Sequence, residues 1–205
     1  MSEKEQNKVL SYFKSLMPRR ENQGGQLFTT QKLVTLAILV ALHVIIARIA
    51  SIKIGPSIVI TVSGITEVVA GLLFGPLSGG ITGLLGSFLN QLITYGFTAT
   101  TVLWILPAAV KGWMCGVYAK AYDYQLNPFQ ILWILAVSAL VVTTMNTVVQ
   151  IIDAEIFQYS TKATQVAIMV TRYINGALTS VVYMIVTTPL LHRLNKLPGI
   201  KKMRE

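Results

Sequence analysis

Residues 33–191 form one long series of apolar segments with only short polar breaks, while basic residues gather at the two ends of the chain. The breaks coincide with glycine, proline and polar positions, where regular helices commonly end. A membrane-crossing helix needs about 20 mostly apolar residues. The pattern therefore predicts six spans, at about residues 31–50, 57–75, 79–95, 100–119, 129–151 and 166–191.

The composition supports a membrane protein. Of the 205 residues, 53% are hydrophobic and only 12% are charged, whereas a soluble domain carries about a quarter charged residues. The formal net charge is +9, but the cations flank apolar spans, where anionic lipid headgroups attract them. We therefore expect contact with membrane lipid and no nucleic-acid partner. Cys115 is the only cysteine, which excludes an internal disulfide and a thiolate metal cluster.

An even number of spans places both termini on one side of the membrane, and both termini are basic. By the positive-inside rule that side is the cytoplasm. The predicted fold is an all-α integral membrane protein of the plasma membrane, a bundle of six transmembrane helices with both termini cytoplasmic. Its parts are an N-terminal arm at 1–30, a membrane domain at 31–191 and a basic cytoplasmic tail at 192–205.

The connections follow from this topology. Those at 51–56, 94–100 and 152–165 face outside, and those at 75–79 and 121–128 face inside. The second and third spans are short and rich in glycine, which favours close packing of neighbouring helices. A re-entrant pair there is an alternative that preserves the topology. The arm is either an amphipathic helix on the inner leaflet or a frayed tail.

Polar residues within the spans fall in one layer near the outer surface. Burying such groups in hydrocarbon without partners is costly, so they often mark function. The predicted substrate-binding residues are Asn90, Gln91, Tyr95, Phe97, Trp104, Asn146, Gln150, Arg172, Tyr173 and Asn175. Arg48, Lys53 and Thr98 adjoin them in or beside the outer connections. The alternative is that each amide only bonds a neighbouring helix.

Three other positions have simpler interpretations. Glu67 and Lys111 lie near the middle of the membrane, where they could form a buried ion pair of structural importance. His43 stands alone on an apolar stretch, so we predict a packed residue and no metal site, because metal sites need several converging ligands. Trp113 and Trp133 could serve as interface anchors.

Catalytic patterns are missing from the sequence. It has no nucleophile elbow, no metal-ligand spacing and no phosphate-binding Gly-x-x-x-x-Gly-Lys-Ser/Thr run. We therefore assign no catalytic residues and do not expect an enzyme. If the chain moves a solute uphill, the energy must come from a source other than its own hydrolysis of ATP.

Two motifs carry a family resemblance. The first span reads Ala37-Ile-Leu-Val-Ala41, and residues 73–80 read Leu-Phe-Gly-Pro-Leu-Ser-Gly-Gly. With the length and topology, residues 31–191 resemble the substrate-binding S components of energy-coupling factor (ECF) vitamin transporters. The resemblance implies a water-soluble vitamin bound with high affinity in an outer pocket, then released inside when the protein topples in the membrane.

The resemblance also implies partners. Ala37 and Ala41 would contact a shared transmembrane coupling subunit that sits on two ATPases, so ATP is used by partner subunits and no cofactor binds this chain directly. The alternative is that the two alanines pack within the chain's own bundle. Two other classes remain open: a stand-alone secondary transporter or channel, and an intramembrane enzyme or structural membrane protein.

The identity of the vitamin stays open at this point. Pantothenate and folate carry carboxylates, for which Arg172, helped by Arg48 or Lys53, would be a partner. The layer is richer in amides than in cations, however, which favours an uncharged polar ligand of the cobalamin or hydroxymethylpyrimidine type. Aromatic residues of the layer could stack on a flat ring.

Overall fold

The computed structural model describes residues 29–54, 58–158, 162–197 and 199–200. The predicted N-terminal arm, except for its last two residues, and the end of the basic tail lie outside this part of the chain. The described residues contain six helices, which are α1 (Thr30–Ile49), α2 (Ile65–Phe74), α3 (Pro76–Tyr95), α4 (Thr101–Ala121), α5 (Pro128–Phe157) and α6 (Lys162–Leu194).

Within these described ranges, four helices are long and apolar enough to cross a membrane: α1, α4, α5 and the Met169–Leu194 part of α6. They correspond to the first, fourth, fifth and sixth predicted spans. The predicted polar connection at 152–165 is wrong in its extent, because α5 continues to Phe157 and α6 begins at Lys162. Asp153 remains helical in this extension and accepts a hydrogen bond from the Thr100 hydroxyl.

The second predicted span is not a single helix, because a short hairpin precedes its helical part. Strands β1 (Ser51–Ile54) and β2 (Ile58–Thr61) form an antiparallel hairpin in which Ser51 lies opposite Thr61. The run of β-branched residues in β2 favours extended backbone. Only the 10 residues of α2 remain helical, a length of about 15 Å against a hydrocarbon core of about 30 Å.

Helix α2 nevertheless lies at the centre of the molecule. All of its residues are buried, and it packs against α1, α3, α4 and α6. Glycines allow the close approach, since a Cβ atom added to Gly71 or Gly79 would collide with the carbonyl of Gly112 on α4. The prediction that glycines bring these helices close together is confirmed. Gly75, at φ 92°, connects α2 directly to α3.

Side-chain contacts define the two ends of the bundle. At one end, beside the hairpin, the Arg48 guanidinium donates to Thr94 Oγ1 at 3.0 Å, which links α1 to α3. We call it the hairpin end, and it includes the 96–100 connection and the end of α5. At the opposite, tail end, Asn195 Nδ2 donates to the carbonyl of Tyr124 at 3.1 Å, which links the end of α6 to the 122–127 connection.

Candidate ligand-binding site

Three helices meet around Arg172 near the hairpin end. Its guanidinium donates to the backbone carbonyl of Asn146 on α5 at 2.7 Å and lies 5.8 Å from the centre of the Trp104 ring on α4. Beside it on α6, the Tyr173 hydroxyl is 3.0 Å from Thr144 Oγ1. We call Arg172, Trp104, Asn146 and Tyr173 the arginine cluster. It combines a cation, an aromatic face and hydrogen-bonding groups, the usual components of a polar ligand site.

Asn175 lies three residues after Arg172 on α6, a spacing that places two side chains on neighbouring parts of one helix surface. Its Oδ1 atom is buried and has no hydrogen-bond partner among the described residues. Leaving such an acceptor unsatisfied costs about 1–3 kcal/mol. A donor brought by a ligand would remove this penalty, so Asn175 fits beside the arginine cluster as a candidate binding residue.

The remaining predicted residues lie on other elements. Asn90 and Gln91 are on α3, where the Asn90 carbonyl accepts from Thr94 Oγ1 at 2.6 Å, and Thr94 in turn receives Arg48. Gln150 is on α5, one turn beyond Asn146 towards the hairpin end.

Tyr95 and Phe97 are 70% and 73% exposed. Thr98 bonds Thr101 at the start of α4. Lys53 belongs to β1, and its side chain lies outside what the structure describes. Four of the predicted binding residues therefore belong to the arginine cluster. The others lie on different elements at the same end of the bundle.

A second polar group is buried deeper, around Glu67 at the start of α2. Lys111 Nζ is 2.9 Å from Glu67 Oε1, and His43 Nδ1 is 3.0 Å from both Glu67 Oε2 and Thr66 Oγ1. Lys111 also lies 5.2 Å from the centre of the Tyr183 ring. We call these five residues the ion network. It joins α1, α2, α4 and α6.

The ion network tests two expectations. The predicted pair of Glu67 and Lys111 is confirmed. The prediction that His43 stands alone is wrong, because Thr66 and Glu67 bring two polar partners to its ring. No group of three or more potential metal ligands occurs in the described part of the chain. Tyr183 was not among the predicted residues, because its only signal is a tyrosine within an apolar span.

The two faces of α1 differ. Leu36, Val40 and His43 are buried against the bundle, whereas Ala37 and Ala41 are exposed. The spacing of four residues places the two alanines on one outward surface of the helix. A second helix could approach closely there, because neither side chain extends beyond Cβ.

Comparison with known proteins decides the family. Residues 27–196 match the family described as ECF-type riboflavin transporter, S component. The chain belongs to this family. It is accordingly a substrate-binding subunit in the plasma membrane and not an enzyme, since ATP hydrolysis in these transporters belongs to partner subunits. S components associate with a membrane coupling subunit and ATPases and bind small vitamin ligands.

Curated relatives carry less specific names. A UPF0397 protein of Streptococcus thermophilus is 27% identical over 154 residues, which cover 70% of this chain and 84% of the relative. A UPF0397 protein of Phytoplasma australiense is 31% identical over 96 residues, which cover 47% of this chain and 49% of that protein.

Solved structures support the fold. FolT bound to folic acid has a TM-score of 0.57 at 20% identity, with coverage of 81% of this chain and 97% of that one. An S component for biotin has a TM-score of 0.55 at 18% identity, with coverage of 85% and 96%. The S component of a bacterial ECF transporter gives 0.57 at 20% identity, with coverage of 80% and 95%. This chain therefore has the S-component fold.

Proposed function

We propose that this protein captures riboflavin from outside the cell at the arginine cluster and delivers it through an ECF coupling subunit. The observation that carries the proposal is the meeting of α4, α5 and α6 at Arg172, Trp104 and Asn146, in a chain whose family description names riboflavin.

The chemistry of the ligand suits these residues. Riboflavin is uncharged and has a flat tricyclic ring with an imide edge, together with a chain of hydroxyl groups. The Trp104 ring offers a face for stacking, and Arg172 offers donors to ring carbonyls or hydroxyls. The buried Asn175 Oδ1 would accept from the imide N–H after a small rotation of its side chain. The hairpin packs on α6 through β2, so it is positioned to cover the site.

Riboflavin is a more specific choice than the range of ligands predicted from the sequence. An uncharged polar ligand remains favoured, but the family description names riboflavin and supports neither cobalamin nor hydroxymethylpyrimidine, so riboflavin replaces both. Arg172, with Arg48 or Lys53, favours a carboxylate vitamin such as folate or pantothenate. In the structure the Arg172 guanidinium already contacts the Asn146 carbonyl and the Trp104 ring, both of which are neutral.

Titration of the purified protein with riboflavin tests the proposal. Stacking of the flavin on Trp104 should quench both flavin and tryptophan fluorescence, and mass spectrometry of the small molecules that copurify should identify riboflavin. Folate and pantothenate in large excess should not restore the flavin signal. Displacement by either, or a copurified vitamin other than a flavin, would refute riboflavin as the ligand.

We further propose that the chain passes through the membrane six times with both termini in the cytoplasm. The second passage is formed by α2, which is shorter than the hydrocarbon core but is surrounded by the other helices along its whole length. This short passage keeps the even count, and the basic residues at both ends support the orientation.

The outward face of α1 is the proposed contact with the coupling subunit. Ala37 and Ala41 are exposed, which supports an external partner rather than packing within this bundle. Ala37→Trp should abolish vitamin uptake by cells that contain the partner subunits, while the isolated variant still binds riboflavin. Ala136→Trp, at an exposed alanine of α5, is the matched control and should retain both activities. Loss of binding in Ala37→Trp would show that the position packs internally.

A further inference from the structure

A cavity of about 960 Å³ opens at the tail end, between the 122–127 connection and the last turns of α6. It is separate from the arginine cluster, because Trp104 and the end of α4 at Lys120 are 16 residues apart, which corresponds to about 24 Å of helix. The volume lies within the range of small-molecule sites, about 300–1,000 Å³. Riboflavin capture from outside does not use this cavity.

The wall of the cavity is held by specific contacts. Asp123 and Tyr124 have positive φ angles of 49° and 60°, a conformation that costs free energy in residues other than glycine. The Tyr124 amide bonds the carbonyl of Ala119 at 2.8 Å, and the Tyr124 carbonyl accepts from Asn195 at 3.1 Å. The connection is thereby fastened to both α4 and α6, so the cavity is part of the fold.

The lining combines opposite charges with apolar surface. Asp123 supplies a carboxylate, Lys196 an ammonium and His192 an imidazole, while Leu126, Pro128 and Pro189 are among the apolar residues. In addition, Thr188 Oγ1 is buried without a hydrogen-bond partner among the described residues. The cavity lies where the transmembrane helices end, which is the level of phospholipid headgroups.

We propose that this cavity binds the headgroup of an amine-bearing zwitterionic phospholipid, of the phosphoethanolamine class. Lys196, together with His192, pairs with the phosphate, and Asp123 pairs with the headgroup ammonium. The upper part of an acyl chain covers Leu126 and Pro189. A purely anionic headgroup fits less well, because Asp123 would repel it.

Native mass spectrometry of the full chain from nanodiscs tests the proposal. The discs contain equal amounts of phosphatidylethanolamine, phosphatidylcholine and phosphatidylglycerol. Wild type should retain phosphatidylethanolamine selectively. Lys196→Gln should reduce its retention about tenfold, the effect of one lost charged pair. Asp123→Asn should remove the preference over phosphatidylglycerol while preserving the backbone, since asparagine tolerates positive φ.

Two controls make the outcome decisive. Arg193→Gln changes an exposed neighbouring cation that does not line the cavity, and it should retain the lipid like wild type. Riboflavin binding, measured on every variant, verifies that each is folded. Equal retention of all three lipids by wild type, or equal loss in Arg193→Gln and Lys196→Gln, would overturn the proposal. So would displacement of the lipid by riboflavin, which would identify the cavity as an inner vitamin site.

Discussion

Two cations in the described part of the chain lie over aromatic rings, and their surroundings differ. Lys111 is 5.2 Å from the Tyr183 ring and 2.9 Å from Glu67, whose side chain is only 1% exposed. Arg172 is 5.8 Å from the Trp104 ring and bonds the neutral carbonyl of Asn146, and its side chain is half-buried. The lysine therefore lies over its ring beside a buried carboxylate, whereas the arginine lies over its ring among neutral groups and is only half-buried.

The difference separates stability from binding. A buried charge must be paired within the protein, because removal of one partner leaves the other uncompensated. In the ion network Glu67 and Lys111 compensate each other's charge, and His43 bonds Thr66 and lies beside the second carboxylate oxygen of Glu67. The arginine cluster instead presents polar and aromatic groups near the surface of the bundle. We therefore assign the ion network to the fold and the arginine cluster to the ligand.

The largest effect is expected from Lys111→Met. It leaves the Glu67 carboxylate buried without its ammonium partner, which should cost about 3–5 kcal/mol of stability. The measurement is the unfolding temperature in detergent, together with the yield of protein in the membrane. The double variant Glu67→Gln with Lys111→Met removes both charges and should recover most of the loss. If the Lys111→Met protein were as stable as wild type, the ion network would not stabilise the fold, and its contrast with the arginine cluster would fail.

The second effect is the response of binding to Arg172→Ala. Hydrogen bonds to charged groups contribute about 1.5–3 kcal/mol, so the affinity for riboflavin should fall about 10- to 100-fold with little change in unfolding temperature. Arg193→Ala, at an exposed position of the tail end, is the control and should bind normally. If Arg172→Ala unfolded the protein as Lys111→Met is expected to, both cations would have the same structural role.

A smaller effect is expected from Trp104→Leu. Aromatic stacking contributes about 0.5–1.5 kcal/mol beyond area burial, so affinity should fall about two- to tenfold, and the quenching of flavin fluorescence should weaken. Trp113→Leu is the matched control, because Trp113 is exposed on the same helix. Equal losses in both variants would mean that the ring of Trp104 has no special contact with the flavin.

The sequence was sufficient to predict the long helices. In α1, α4, α5 and α6, runs of apolar residues satisfy the length requirement by themselves. It failed at the second span, because residues 58–74 are mostly apolar and hydropathy does not distinguish a strand followed by a short helix from one continuous helix. The β-branched run of β2 was the available signal.

The sequence predicted the candidate site only in part, because it gives the depth of a residue but not the direction of its side chain. The depth of each polar residue follows from its position along a helix, and it placed Trp104, Asn146 and Arg172 in one layer. The direction of a side chain around the helix depends on tertiary packing, which one sequence does not reveal. The exposure of Tyr95 and Phe97 and the partners of His43 therefore emerged only from the structure.

The smallest effect is expected at Tyr173, and it ranks the residues of the arginine cluster by their contribution to affinity. Tyr173→Phe removes a hydroxyl that lies 3.0 Å from Thr144 Oγ1, and in the variant Thr144 keeps its hydrogen bond to the Leu140 carbonyl at 2.9 Å. A neutral hydrogen bond contributes about 0.5–1.5 kcal/mol, which corresponds to about a two- to tenfold loss of affinity, and we expect the lower end because this bond joins two residues of the protein. Tyr122→Phe, at an exposed residue of the tail end, should leave the riboflavin titration unchanged. A loss larger than that of Arg172→Ala would instead make Tyr173 the main ligand contact, and Arg172 would then act by holding α5 and α6 together.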